Sequence, residues 1–217
     1  MDVTKSAIEV KNLSRLFNKD QWVLKDLNFS INVGEKVGIV GVNGSGKTTL
    51  LKILASLTLP TEGKALVMGK DTKSSPLFVR AHVGWVPASD SQFYPRLNGR
   101  ENLHSFWGHK ISKLEINQRI AQWQPHLPLK EALETPYYLC SSGMRQALNF
   151  CRALIFDPEI LLLDEPTRSL DQESLDKMIQ TINNEFSKKT LLVASHDHIF
   201  LEKVTTQQIQ IESGSSC

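Results

Sequence analysis

Eight consecutive residues, Gly41-Val42-Asn43-Gly44-Ser45-Gly46-Lys47-Thr48, restrict the fold of this 217-residue chain more than any other feature in it. They have the spacing G-x-x-x-x-G-K-[ST] and stand between an apolar, β-rich run at 36–40 and a helix-like run at 48–57. Glycines there let successive backbone N–H groups turn inward around a phosphate, and the helix start adds the positive end of its dipole. In that arrangement Lys47 reaches the β- and γ-phosphates of a nucleotide, and the Thr48 hydroxyl can bind Mg²⁺. The competing reading is a plain glycine-rich turn. The strand before it and the helix after it weigh against that.

The rest of the chain reads as an alternation. Short β-rich runs at 7–10, 23–31 and 36–40 precede the loop, and a strand at 83–86 stops at Pro87. Residues 70–76 read as a polar, Ser-rich loop. From about 99 to 138 the pattern turns helical, at 100–107 and 112–123, and is broken by Pro125, Pro128 and Pro136. Helices at 142–156, 172–186 and 198–204 then alternate with strands at 160–163, 190–194 and 207–211. Such alternation predicts a mostly parallel sheet covered by helices. The tail at 213–217 reads as frayed.

Composition excludes several classes. Hydrophobics at 41% and charged residues at 22% exclude general disorder. Net charge is +2, too small for a nucleic-acid-coating protein, so no nucleic-acid partner is expected. Cys140, Cys151 and Cys217 lack metal or disulfide spacing and favour a reducing compartment. No apolar run approaches the roughly 20 residues needed to cross a bilayer.

Two further segments bear chemistry. Ile160-Leu161-Leu162-Leu163-Asp164-Glu165-Pro166 is an apolar strand ending in two acids. The carboxyl ends of parallel strands form a ligand crevice, where Asp164 could hold Mg²⁺ through a water and Glu165 could take a proton from an attacking water. Leu139-Cys140-Ser141-Ser142-Gly143-Met144-Arg145-Gln146 opens a helix, with Ser141 as its N-cap and small residues that leave N–H groups open to an anion. Taken singly, a solvated strand end and an ordinary capped helix would explain these two.

Together and in this order, the segments resemble the nucleotide-binding subunit of ATP-binding-cassette (ABC) transporters over nearly the whole chain. Residues 41–48 resemble the Walker A loop, Ser141-Ser142-Gly143 the signature, Ile160 to Glu165 Walker B with its catalytic glutamate, Ser169-Leu170-Asp171 the D-loop, and His196 the switch histidine. The resemblance implies an α/β chain: a P-loop NTPase (RecA-like) core with an N-terminal antiparallel β part and an inserted α-helical subdomain. Core would occupy about 1–87 and 158–212, and the helical subdomain about 88–157. It assigns ATP to Phe17, Gly41, Val42, Asn43, Gly44, Ser45, Gly46, Lys47, Thr48 and Thr49, and to Ser141, Ser142 and Gly143. It gives Mg²⁺ to Thr48 and Asp164, and catalysis to Glu165, His196 and Lys47. Trp22 competes with Phe17 for the adenine ring.

The implied function is ATP hydrolysis driving a membrane transporter, with a second copy or a similar subunit closing two ATP sites and a transmembrane permease as partner. The chain would sit on the cytoplasmic face of a membrane. Residues 92–103 and 164–171 are similar to exporter-type subunits that serve ABC-2 permeases, and the region 94–107, with Phe93, Phe106 and Trp107, would meet the permease. Four positions depart from the family pattern: Ala88 replaces the usual Gln, Ser142 a Gly, Met144 a Gln and Cys140 a Leu. A non-transport ABC ATPase acting on nucleic acid or ribosomes is the alternative. The coiled-coil insertion, zinc motif or second cassette usual in that class is not found in the sequence. A non-hydrolysing module would be expected to lack Glu165, and a P-loop kinase would lack segments 141–143 and 169–171.

Overall fold

Two sheets share the chain. The computed structural model describes residues 6–18, 21–89, 92–168 and 170–212. The expectations for Ser169 and the tail at 213–217 lie outside the described residues. Strands β1 (Ser6–Asn18), β2 (Gln21–Asn32), β4 (Glu62–Val67) and β5 (Lys70–Asp71) form an antiparallel sheet in the order β2-β1-β4-β5. Strands β3 (Lys36–Val40), β6 (Val83–Val86), β7 (Ile160–Asp164), β8 (Thr190–Ala194) and β9 (Gln207–Gln210) form a parallel sheet in the order β6-β7-β8-β3-β9.

The central strands β3, β7 and β8 are buried on both faces, which is why they read as continuous apolar runs, whereas the edge strand β9 is polar and largely exposed. Leu161, Leu163, Leu191 and Val193 face one apolar core, shared with the helices between β6 and β7. Ile160, Leu162, Leu192 and Ala194 face the other, shared with α1 (Lys47–Leu54) and the antiparallel sheet. The period-2 alternation of side chains places neighbouring residues of one strand in different cores.

The chain between β6 and β7 is helical: α3 (Gly99–Trp107), α4 (Lys113–Trp123), α5 (Leu129–Ala132), a 3₁₀ turn (Tyr137–Leu139) and α6 (Ser142–Leu154). Caps set where these helices begin. Asn98 and Glu101 form a reciprocal capping box on α3, Ser112 caps α4, and Ser141 caps α6 by accepting from the Met144 N–H at 3.2 Å. Each such cap contributes about 1 kcal/mol. The helices α7 (Gln172–Glu185) and α8 (His198–Val204) are capped by Asp171 and Asp197.

Two parts of the sequence reading need correction. The stretch called a loop at 70–76 holds β5 and leads into α2 (Pro76–His82), and β4 was not anticipated. Phe93, expected to offer contact area to a partner, is buried and stacked on Tyr137 at 4.5 Å between ring centroids. Phe106 and Trp107 are half-buried. No helix among the described residues is long and apolar enough to cross a membrane.

Candidate nucleotide site

All five strands of the second sheet point the same way, so their carboxyl ends lie on one edge. Ile39 of β3 and Asp164 of β7 both register with Ala194 of β8. The loop after β3, the acids ending β7 and the histidine after β8 are therefore brought together by sheet register.

The loop 41–46 turns tightly: the Ser45 N–H donates to the Val42 carbonyl at 3.1 Å. Gly46, with φ 96°, is the N-cap of α1. A Cβ on it would lie 2.4 Å from Leu24 Cδ2 and 2.7 Å from the Val23 carbonyl oxygen, so β2 supports the loop closely. Only glycine meets both conditions without strain. Lys47 curls back over the loop, and its Nζ donates to the carbonyls of Gly41 at 2.7 Å and Val42 at 3.2 Å. Ser45 is fully buried, and its hydroxyl has no hydrogen-bond partner. A phosphate oxygen in the loop would supply one. Thr49 is half-buried behind these residues, and Val42, Asn43, Gly44 and Thr48 are exposed.

Asp164 is 2% exposed, and its carboxylate accepts from the Thr48 hydroxyl at 3.0 Å. Burial pushes the Asp164 carboxyl above the ordinary carboxylate range; the Thr48 hydrogen bond opposes this and the Glu165 charge adds to it. A hydroxyl and a carboxylate are hard oxygen donors, the set that suits Mg²⁺. Among the described residues no cation is in hydrogen-bond contact with the buried carboxylate. The donor set therefore fits the ion.

Glu165 occupies the left-handed region at φ 46°, a conformation uncommon for a residue with a side chain. Its own N–H donates to the Ala194 carbonyl at 2.7 Å, which fixes this turn against β8. Its Oε2 meets His196 Nδ1 at 2.7 Å and accepts from the His196 N–H at 3.3 Å and the Ser195 hydroxyl at 3.4 Å. Ser195 also accepts from the Asp197 N–H, so it links the acid to the helix cap. The sequence reading gave Ser195 no role.

Residues 141–143 are not part of this cluster. Helix α6 packs on α3, α5 and β6, whereas α1 packs on β2, β4, β7 and β8. Ser141 and Ser142 are exposed at the helix start. Phe17 is 72% exposed at the end of β1, which rules out core packing for it; Trp22, on the facing strand, is half-buried. The half-buried Ala88 follows β6, and Gln92 is engaged elsewhere, by Arg152.

Comparison with known proteins agrees with this geometry. Residues 24–168 match the family described as ABC transporter. The chain is 35% identical over 214 residues to the ABC transporter ATP-binding protein NatA of Bacillus subtilis (strain 168), covering 95% of this chain and 86% of that protein. It is 32% identical over 209 residues to the Nod factor export ATP-binding protein I of Burkholderia orbicola (strain AU 1054), covering 95% and 68%. Among solved structures, a dimeric ATP-binding cassette in a post-hydrolysis state bound to ADP and phosphate superposes with a TM-score of 0.84 at 27% identity, covering 96% of this chain and 97% of that one. With the phosphate loop, the paired acids and the histidine meeting on one sheet edge, the chain belongs to the ABC transporter family, as an ATP-binding and ATP-hydrolysing subunit.

Proposed function

We propose that two copies of this chain, or this chain and a similar subunit, close on two ATP molecules, each held between one chain's phosphate loop and the other's residues 141–143. The Thr48–Asp164 hydrogen bond carries this reading, because it joins the two segments that must meet around a nucleotide. The N–H groups of residues 41–49 and Lys47 bind the phosphates, with Lys47 leaving its two loop carbonyls to do so. Phe17 offers its exposed ring to adenine. Thr48 and Asp164 would hold Mg²⁺. When bound, the ion supplies neutralisation of charge on the phosphate oxygens. Glu165 takes a proton from the attacking water, and His196 orients that carboxylate through Nδ1. Ser141, Ser142 and Gly143 stabilise charge on the γ-phosphoryl group as it transfers.

The partner driven by this cycle would be a transmembrane permease of the ABC-2 exporter type, with the chain peripheral on the cytoplasmic face. The proposed division is a core at about 1–87 and 158–212 and a helical subdomain at about 88–157. Residues around 94–107 would face the permease through exposed Tyr94 and the half-buried Phe106 and Trp107.

A mixing experiment tests the shared site. Lys47→Ala and Ser141→Arg are each expected to be inactive. In a mixed dimer both lesions fall into one site and the other site is intact. ATPase activity should return on mixing and depend on protein concentration. Background activity in crosslinked mixed dimers, in single turnover as well as steady state, would sink the reading.

A further inference from the structure

Arg152, near the end of α6, is 8% exposed, and its named partners are all uncharged. Nη1 donates to Gln92 Oε1, Nη2 donates to the Trp85 carbonyl at 3.3 Å, and Nε has no hydrogen-bond partner. The rings of Phe106 and Phe93 lie 5.3 and 5.7 Å from the guanidinium carbon. Burial pushes its pKa down to about 10. Among the described residues no carboxylate pairs with it. A buried cation held by neutral groups is destabilising, and an apolar side chain of similar size often packs in such a place with equal or better stability. Packing alone therefore gives no reason for arginine.

Connection gives one. Trp85 lies in β6, and Gln92 lies in the loop that follows it, the loop in which Ala88 replaces the family's glutamine. Arg152 is ten residues along α6 from Ser142, roughly 15 Å at ~1.5 Å per residue. Gln92 and Arg152 also line one groove of about 260 Å³, with Trp85, Phe106, Trp107 and Lys110. We propose that Arg152 is a positioning residue: it fastens the β6 loop, through Gln92, to α6, so that movement of this loop displaces the 141–143 end of the same helix. The inference rests on the reading that residues 141–143 complete the partner's site.

The test follows ATP-driven dimerisation by sedimentation velocity in the Glu165→Gln background, over a titration of ATP with magnesium. Gln92 is exposed, so Gln92→Ala removes the acceptor without opening a cavity. Its melting temperature and its binding of a fluorescent ATP analogue as a monomer should be unchanged, while half-dimerisation should need about tenfold more ATP. Gln92→Glu keeps an acceptor for Arg152 and should dimerise at or below the parent midpoint. Arg152→Met should melt no lower than the parent yet dimerise like Gln92→Ala. Ser141→Arg checks the underlying reading and should block dimerisation. Normal dimerisation by Ser141→Arg would overturn that reading and this inference together. Blocked dimerisation by Ser141→Arg with an unshifted midpoint in Gln92→Ala would overturn the Arg152 link alone.

Discussion

Thr48 and Asp164 lie 116 residues apart in the chain and are joined by a 3.0 Å hydrogen bond from the threonine hydroxyl to the carboxylate. Thr48 lies in α1, which follows β3, and Asp164 ends β7; β8 stands between those two strands, so the bond reaches past the end of β8 rather than joining neighbours. It leaves a buried carboxylate that has a hydroxyl donor but, among the described residues, no cation in contact, and burial raises its pKa. A raised carboxyl pKa favours the folded state at low pH; that contribution fades as pH rises through the folded-state pKa and Asp164 ionises.

The first prediction follows from that sign. Asp164→Asn keeps an acceptor for Thr48 and removes the buried charge. Without nucleotide, this variant should melt higher than the parent at pH 7.5, by about 2–4 °C for each ~1 kcal/mol relieved. The gain should shrink as pH falls toward the folded-state pKa, where the parent carboxyl is already protonated. ATPase activity with magnesium should be lost. A lower melting point at pH 7.5 in nucleotide-free Asp164→Asn would contradict the charge argument.

Glu165 and His196 should behave as one unit. Glu165→Gln keeps an oxygen for the His196 N–H but cannot take a proton, so turnover should fall about 10²- to 10⁴-fold. ATP binding should survive, and the dimer should accumulate. If His196 acts through Glu165, adding His196→Ala to Glu165→Gln should cost little more. A further loss as large as that of His196→Ala alone would assign His196 a separate contact with the nucleotide.

Phe17 is exposed, so its removal should leave stability unchanged. Stacking of a base on an aromatic ring contributes about 1–3 kcal/mol. Phe17→Ala should therefore raise KM for ATP about tenfold with kcat unchanged, and Phe17→Tyr should restore it. The same experiment on Trp22 separates the two rings: an effect on KM from Trp22→Ala alone would transfer the role.

Elements that carry their own boundary signals were legible in the sequence. Strand β6 ends before Pro87, α8 starts on the Asp197 cap, and β8 is an unbroken buried run. Strand β4 was not legible because half of it is exposed and its only inward positions are Ala65 and Val67; pairing with β1 is what makes it a strand. Helix α2 buries only Val79 and begins on a proline that reads equally as a loop. The site divides the same way. Residues 41–48 and 164–165 are local strings with local geometry. The Arg152–Gln92 bond joins positions 60 apart, and no spacing in the sequence announces it.

Gly143 and Ser174 provide the last prediction. A Cβ on Gly143 would lie 2.7 Å from Ser174 Oγ but 3.5 Å from Ser174 Cβ, so the conflict is with the hydroxyl alone. Ser174 sits in the first turn of α7, where its N–H donates to Asp171 Oδ1 at 2.8 Å and its side chain also hydrogen-bonds Asp171. Turning the hydroxyl aside would break that second bond. Gly143→Ala should therefore displace the start of α6 and depress ATPase activity. Ser174→Ala removes the obstructing atom and should be nearly neutral by itself. The double variant should recover most of the parent activity, and it should melt higher, because alanine favours a helix over glycine by up to about 1 kcal/mol. The alternative is that a methyl at 143 is refused by the nucleotide itself. In that case the double variant would gain the stability, stay as inactive as Gly143→Ala, and show that the glycine is needed for close approach to ATP rather than for contact with α7.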